Sequence, residues 1–370
     1  MFIKTCSKKE EIILLKTINI IMIGLLMTVT AAVAEPLKVG FIYIGPPGDH
    51  GWTYRHDIGR KDIEAHFGDK VTTTFQESVP EGPDAVRAIT QLALSGHDLI
   101  FTTSYGYMDQ TLAVAKKFPN VKFEHATGWK TADNVSNYGL KLYQFRHVQG
   151  VIAGLMTKTN KICYVASFPI PEVIREINTY YLGAKTQNPD VELQIVWVYT
   201  WYDPSKEGDA AQAMIDNGCD IVAQHTDSPA PLITAQKAGV LGFGQASDQT
   251  AFAPNAQLTG TIDNWSPYYI DRVQAVLDGT WEGHGTYFGD ISEGAVGYAP
   301  FANMPVEVAK IARDYLNRIS DGSYHAFTGP IRDQHGEYGN LKLKTGEIAS
   351  RQMLDTMDWY VHGITAKYPD

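Results

Sequence analysis

The chain is poor in cysteine, has no cluster of lysine and arginine, and lacks the signature motifs of the common catalytic families. Only three cysteines occur in 370 residues. Cys6 falls in the opening segment, while Cys163 and Cys219 each stand at the start of an apolar, strand-like run. No close spacing marks a metal or redox pair, so two buried free thiols are expected, with a disulfide as the alternative. Acidic residues outnumber basic ones, 41 to 31, for a net charge of -10. Without a basic patch, nucleic acid and anionic membrane surfaces are poor partners.

No P-loop, G-x-S-x-G elbow or H-E-x-x-H pair is present, so no catalytic residues are assigned. Gly242-Phe243-Gly244-Gln245-Ala246-Ser247 approaches a dinucleotide fingerprint but ends on Ser, with no clean βαβ repeat after it. The histidines His50, His56, His97, His125, His147 and His225 are scattered. His50 and His56, six apart, do not share a helix face, so neither a metal nor a cofactor is expected.

What is present begins with Lys4, Lys8, Lys9 and Lys16, an apolar run over 18–29, and Ala31-Ala32-Val33-Ala34. A basic end, an apolar middle and an A-x-A site read as a secretory signal over 1–34. A retained anchor is the alternative, because the apolar stretch approaches the roughly 20 residues of a spanning helix. Glu35, not Cys, follows the site, so lipid attachment is not expected. No later run is long and apolar enough to span a bilayer, which predicts a soluble mature protein. Loss of four lysines and two glutamates with the signal takes the net charge from -10 to -12.

From residue 37 onward, short apolar runs alternate with longer amphipathic stretches, the pattern of βαβ units around parallel sheets. Strands are predicted over 39–44, 70–75, 99–102 and 121–126, with helices over 52–67, 83–95 and 108–117. The cycle restarts with a helix over 149–157. Strands over 161–166, 192–198, 220–225 and 240–244 then alternate with helices over 173–186, 205–217 and 231–238. Residues 266–277 are again helical. Two α/β lobes with doubly wound parallel sheets follow, the chain recrossing near Tyr143, near Thr261 and beyond Gly294. The lobes are read as 35–143 with 262–294, and 144–261 with 295–370. A hinged pair of this kind can close over a ligand.

In open parallel sheets ligands sit beyond the carboxyl ends of the strands, so the loops there carry the function. Gly48-Asp49-His50-Gly51-Trp52-Thr53 places an acid and a large ring at a helix start. Asp49 suits a helix cap first and a ligand N–H second; Trp52 fits a stacking wall and a core anchor equally. Tyr105 and Trp201 occupy two further aromatic loops, each with an acid nearby. Asp227, Asp248 and Asp263 add carboxylates for a ligand that donates hydrogen bonds. Rings facing one cleft beside such acceptors would hold a flat, polar heterocycle.

The secretory start, the D-x-G-W-T turn, Phe118-Pro119-Asn120-Val121, Asn217-Gly218-Cys219-Asp220 and Thr328-Gly329-Pro330-Ile331-Arg332-Asp333 together resemble the basic membrane protein family. These look like solute-binding subunits of ABC importers, many of which take purine nucleosides or bases. The resemblance implies a type I periplasmic binding fold with three hinge crossovers and a purine stacked between opposing lobes. It implies a periplasmic monomer that hands its ligand to permease subunits in the inner membrane. Trp52 and Asp49 match the family's first turn, Trp201 the opposing wall, and Asp248 the acid of a G-x-x-x-D loop. Gly51 and Thr53 depart from the family's Ser and Asn. Near Asp263 the family's lysine is missing, which favours a free base such as adenine over a nucleoside. A nucleoside hydrolase and a ligand sensor for a membrane receptor are the competing classes.

Overall fold

The computed structural model describes residues 35–48 and 50–369. The signal expected over 1–34, and Asp49, lie outside the described residues. Among the described residues, no helix is long and apolar enough to cross a membrane.

The principal strands are β1 (Leu37–Ile42), β2 (Val71–Gln76), β3 (Leu99–Thr102), β4 (Lys122–Ala126), β5 (Val135–Leu140), β6 (Lys161–Ala166), β7 (Glu192–Trp197), β8 (Ile221–Gln224), β9 (Leu241–Gly244), β10 (Gln257–Asp263), β11 (Thr286–Gly289) and β12 (Val296–Tyr298). They build two sheets of the same winding, β11-β5-β4-β3-β1-β2 and β12-β10-β9-β8-β6-β7. The first is parallel throughout; in the second only β12 runs against its neighbour. Strands covered on both faces need apolar side chains at successive positions, as in Val39, Phe41 and Ile42, all fully buried. In each sheet the first strand of the half sits beside both the second and the third. The winding direction reverses there, and ligand crevices open at such points.

The helices are α1 (Gly51–Phe67), α2 (Pro83–Leu94), α3 (Met108–Ala115), α4 (Leu142–Met156), α5 (Pro171–Gln187), α6 (Pro204–Asp216), α7 (Ala230–Ala238), α8 (Ser266–Leu277), α9 (Val306–Ser320) and α10 (Arg351–Asp355). The chain passes from the first sheet to the second after β5 and returns after β10, where α8 packs on α1. It crosses again between β11 and β12. The tail then lays α9 on α4 and α10 on α5.

Two sequence expectations change. Helix α4 starts at Leu142, not near 149, so Arg146 and His147 are helical and buried. It lies unusually close to α5, because a Cβ on Gly150 would strike the Tyr180 carbonyl and one on Gly183 the His147 carbonyl. Cys163 and Cys219 are not free thiols: they form a disulfide with an S–S distance of 2.03 Å. Pairing of β6 with β8 sets Cys163 opposite Val222, three residues from Cys219. That brings the Cα atoms to 6.0 Å, within bridging range. Linear spacing carried no trace of this, since the contact is made by sheet order.

Candidate functional site

A cavity opens between the carboxyl ends of the two sheets. Ile44 after β1, Trp52 in α1 and Tyr105 after β3 line it from one side. Glu172 in α5, Trp201 before α6, His225 and Asp227 after β8, and Gln245 after β9 face them.

The two sides touch at the start of α1. A helix begins with backbone N–H groups that have no partner within the helix, and here the opposite lobe supplies acceptors. Gly51 N–H donates to Ser247 Oγ at 2.9 Å, and the Trp52 backbone N–H bonds the Asp227 carboxyl. Gly51 has φ of +82°, and a Cβ there would lie 2.6 Å from the Asp227 carbonyl oxygen. Glycine therefore permits both the turn and the contact across the cleft. At the mouth, Trp201 Nε1 donates to Glu81 Oε1 at 3.2 Å.

Trp52 is anchored from behind. Its Nε1 donates to the Thr103 carbonyl at 2.7 Å, and its ring meets His56 edge-on at 4.5 Å and Trp265 at 5.3 Å. His56 stacks on Trp265 at 4.7 Å and hydrogen-bonds Tyr269. Burial, helped by Arg55, holds the His56 imidazole well below its ordinary pKa, so it is neutral. Trp201 is held more lightly, against Phe168 at 4.9 Å and with His225 at 6.4 Å.

Beneath the second wall lies a buried charge network. Arg146 Nε donates to Glu176 Oε2 at 3.0 Å, its Nη1 to Gln149 Oε1 at 2.6 Å, and its Nη2 to Gln245 Oε1. His225 Nε2 is 3.3 Å from Glu176 Oε1 and 3.7 Å from Glu172 Oε1. Burial alone would lower the His225 pKa, but Glu176 and Glu172 outweigh it and push it up to about 10. Burial would raise Glu176, yet His225 and Arg146 bring it down to about 2. Glu172, Glu176 and His225 have ligand atoms within 4.8 Å of one another. With His225 protonated and Arg146 already on Glu176, the set is an ion-pair cluster, not a cation cage.

Of the residues singled out by sequence, Trp52, Tyr105, Trp201 and Asp227 come together on the cavity. Asp227 is pushed up to about 7, chiefly by burial and then by Glu207, with His225 and the Trp52 N–H opposing. Asp263 is fully buried, neither carboxyl oxygen has a hydrogen bond among the described residues, and it does not line the cavity. Burial raises it well above the carboxylate range, Arg55 opposing and Glu176 and Glu172 adding, so it is a neutral acid. Asp248 is not brought to the cavity: it is exposed and accepts bonds from Thr250 in its own loop and from Gln257 at the start of β10. Asp49 lies outside the described residues.

Sequence reasoning missed Glu172 and the Arg146–Glu176 pair, and in the loop of Gln245 it singled out Asp248 instead. One signal was readable: Glu172 and Glu176, four apart, share a helix face. Beyond the first cavity, and sharing Tyr105, Thr127 and Glu172 with it, lies a second with Arg175, Phe288 and Arg351 in its walls.

The family profile described as ABC transporter substrate-binding protein PnrA-like matches residues 37–320. A purine-binding protein of Brucella abortus is 53% identical over 346 residues, covering 94% of this chain and 98% of that protein. A putative ABC transporter glucose-binding protein of Haloferax volcanii is 38% identical, over 67% of this chain and 63% of its own length. Among solved structures, a solute-binding protein of an ABC transporter system from Aeropyrum pernix superposes with a TM-score of 0.68 at 17% identity, covering 86% of this chain and 96% of that one. That likeness carries the type I periplasmic binding fold. With two such lobes, and a family match over most of its length, the chain belongs to the PnrA-like family of ABC transporter substrate-binding proteins.

Proposed function

We propose that the protein captures a purine, a free base such as adenine in preference to a nucleoside, and delivers it to an ABC permease in the inner membrane. The lobes 35–143 with 262–294, and 144–261 with 295–370, close on it. One observation carries the reading: the cavity presents Trp52, Tyr105 and Trp201 beside Glu172 and Asp227, with no lysine or arginine in its lining. Aromatic faces take a flat ring, and carboxylates take its N–H groups. The purine-binding relative from Brucella supports the same ligand class. Residues 1–34 act as a cleaved signal, and the mature protein is a periplasmic monomer without a lipid anchor. The Cys163–Cys219 disulfide is in keeping with an oxidising compartment.

A nucleoside is the second reading, favoured by the adjoining cavity at Arg175, Phe288 and Arg351, which shares Tyr105, Thr127 and Glu172 with the first. Calorimetry with adenine, adenosine and glucose tests the choice, beside an assay for free base released from nucleosides. Adenine binding without turnover supports the proposal. Glucose binding alone, or release of base at enzymatic rates, overturns it.

A further inference from the structure

Gln245 follows β9, is 2% exposed, and lines the cavity. Its amide could present either end to a ligand, and the protein fixes which. Arg146, wholly buried, donates from Nη2 to Gln245 Oε1. A guanidinium can only donate, so the amide must turn its oxygen toward Arg146. Rotation by half a turn would set two buried donors against each other. Arg146 is itself held by Glu176 and Gln149. The amide nitrogen has no bond to protein among the described residues, which leaves its two protons for the cavity.

The other donors in the lining are largely spent. Trp52 Nε1 donates to the Thr103 carbonyl, Ser104 and Trp201 to Glu81, and Thr127 to the Ala126 carbonyl. His225 Nε2 is buried in ion-pair range of Glu176, away from the cavity, and Nδ1 meets Ser167. Besides the Tyr105 hydroxyl, which can rotate, Gln245 is left as the donor of fixed direction. Glu172 complements it: this carboxylate is 6% exposed, lines the cavity, and has only long contacts of 3.6 Å to Arg175 and 3.7 Å to His225.

We propose that Gln245 is a specificity-determining donor, locked by Arg146 as its positioning residue, so that the ligand must offer an unprotonated ring nitrogen to it while giving an N–H to Glu172. The inference rests on the purine reading and deepens it. A 6-aminopurine carries such an acceptor beside an amino group that donates.

The test is calorimetry of adenine and of the deaza-adenines that each lack a different ring nitrogen, on wild type, Gln245→Glu and Tyr105→Phe. Gln245→Glu keeps the side-chain length and gives Arg146 a charged partner, and circular dichroism checks that the fold is kept. Wild type is expected to lose about tenfold or more in affinity for one deaza analogue. In Gln245→Glu, adenine falls by a similar factor and the analogue's penalty disappears; in Tyr105→Phe the penalty remains. Arg146→Lys, which keeps the charge but not the fork, should shrink the same ratio. A penalty that persists in Gln245→Glu, or vanishes in Tyr105→Phe instead, overturns the proposal with purine binding intact. Failure of wild type to bind adenine overturns the purine reading and this proposal with it, and is seen without any variant.

Discussion

The two walls of the cavity rest on different physics. Behind Trp52 stand neutral rings, His56, Trp265 and Tyr269, packed face and edge within the first lobe's core. Behind the opposing residues stand charges: Arg146 and Glu176, fully buried, and His225 at the edge of the cavity. An aromatic stack holds shape through volume and is indifferent to pH. A buried ion cluster also fixes which atoms donate and which accept, but only while every partner is present. On the proposed reading, the first wall would supply a surface and the second a code.

The lobes differ most in what a single deletion costs. Cys163 and Cys219 close a loop of 56 residues in the second lobe. Replacing both by alanine should lower stability by about 4 kcal/mol on the loop-closure account. Denaturant unfolding measures this, and a loss confined to the first lobe's probes would contradict it. Glu176→Gln should cost about 3 kcal/mol, because it strands Arg146 and the protonated His225 at full burial. The matching change in the other wall, His56→Phe, loses one bond to Tyr269 and costs about 1 kcal/mol. Equal losses for the two would erase the distinction between the walls.

How far the sequence reached follows the same division. The βαβ rhythm to Gly244 was legible because parallel strands need unbroken apolar runs. Strand β5 was not, since Val135-Ser136-Asn137-Tyr138 buries polar residues that no periodicity marks. The start of α4 was hidden likewise: Tyr143 to His147 is buried on every side, so it lacks an amphipathic stripe. The aromatic wall was readable from rings placed in strand-end loops. The charged wall was not, for Arg146 meets Glu176 across 30 residues and Gln245 across 99.

Trp52→Ala should weaken adenine at least tenfold, since stacking on a ring contributes on the order of 1 to 3 kcal/mol per base. Trp201→Ala should weaken it comparably. The walls separate in the melting temperature: Trp52 supports packed rings and its loss lowers Tm, whereas Trp201 sits on a half-exposed loop and leaves Tm nearly unchanged. Unchanged affinity in Trp52→Ala would return that residue to the core alone.

The smallest effect is the dependence on pH, and it isolates the one acid that serves both walls. Asp227 rises from its ordinary 3.8 to about 7, burial leading, Glu207 adding, and His225 and the Trp52 N–H of α1 opposing. An acid raised in the fold contributes stability below its ordinary value and loses it as pH climbs to about 7. His225, raised from 6.5 to about 10, extends that decline, so the ligand-free protein should weaken steadily from neutral to alkaline pH. A purine N–H donated to Asp227 favours the ionised acid and draws its pKa down. Adenine affinity should therefore rise a few-fold between about pH 6 and pH 8, and Asp227→Asn should flatten the profile. A profile already flat in wild type would leave Asp227 the single task of capping α1 across the cleft, and the ligand's N–H groups would then fall to Glu172.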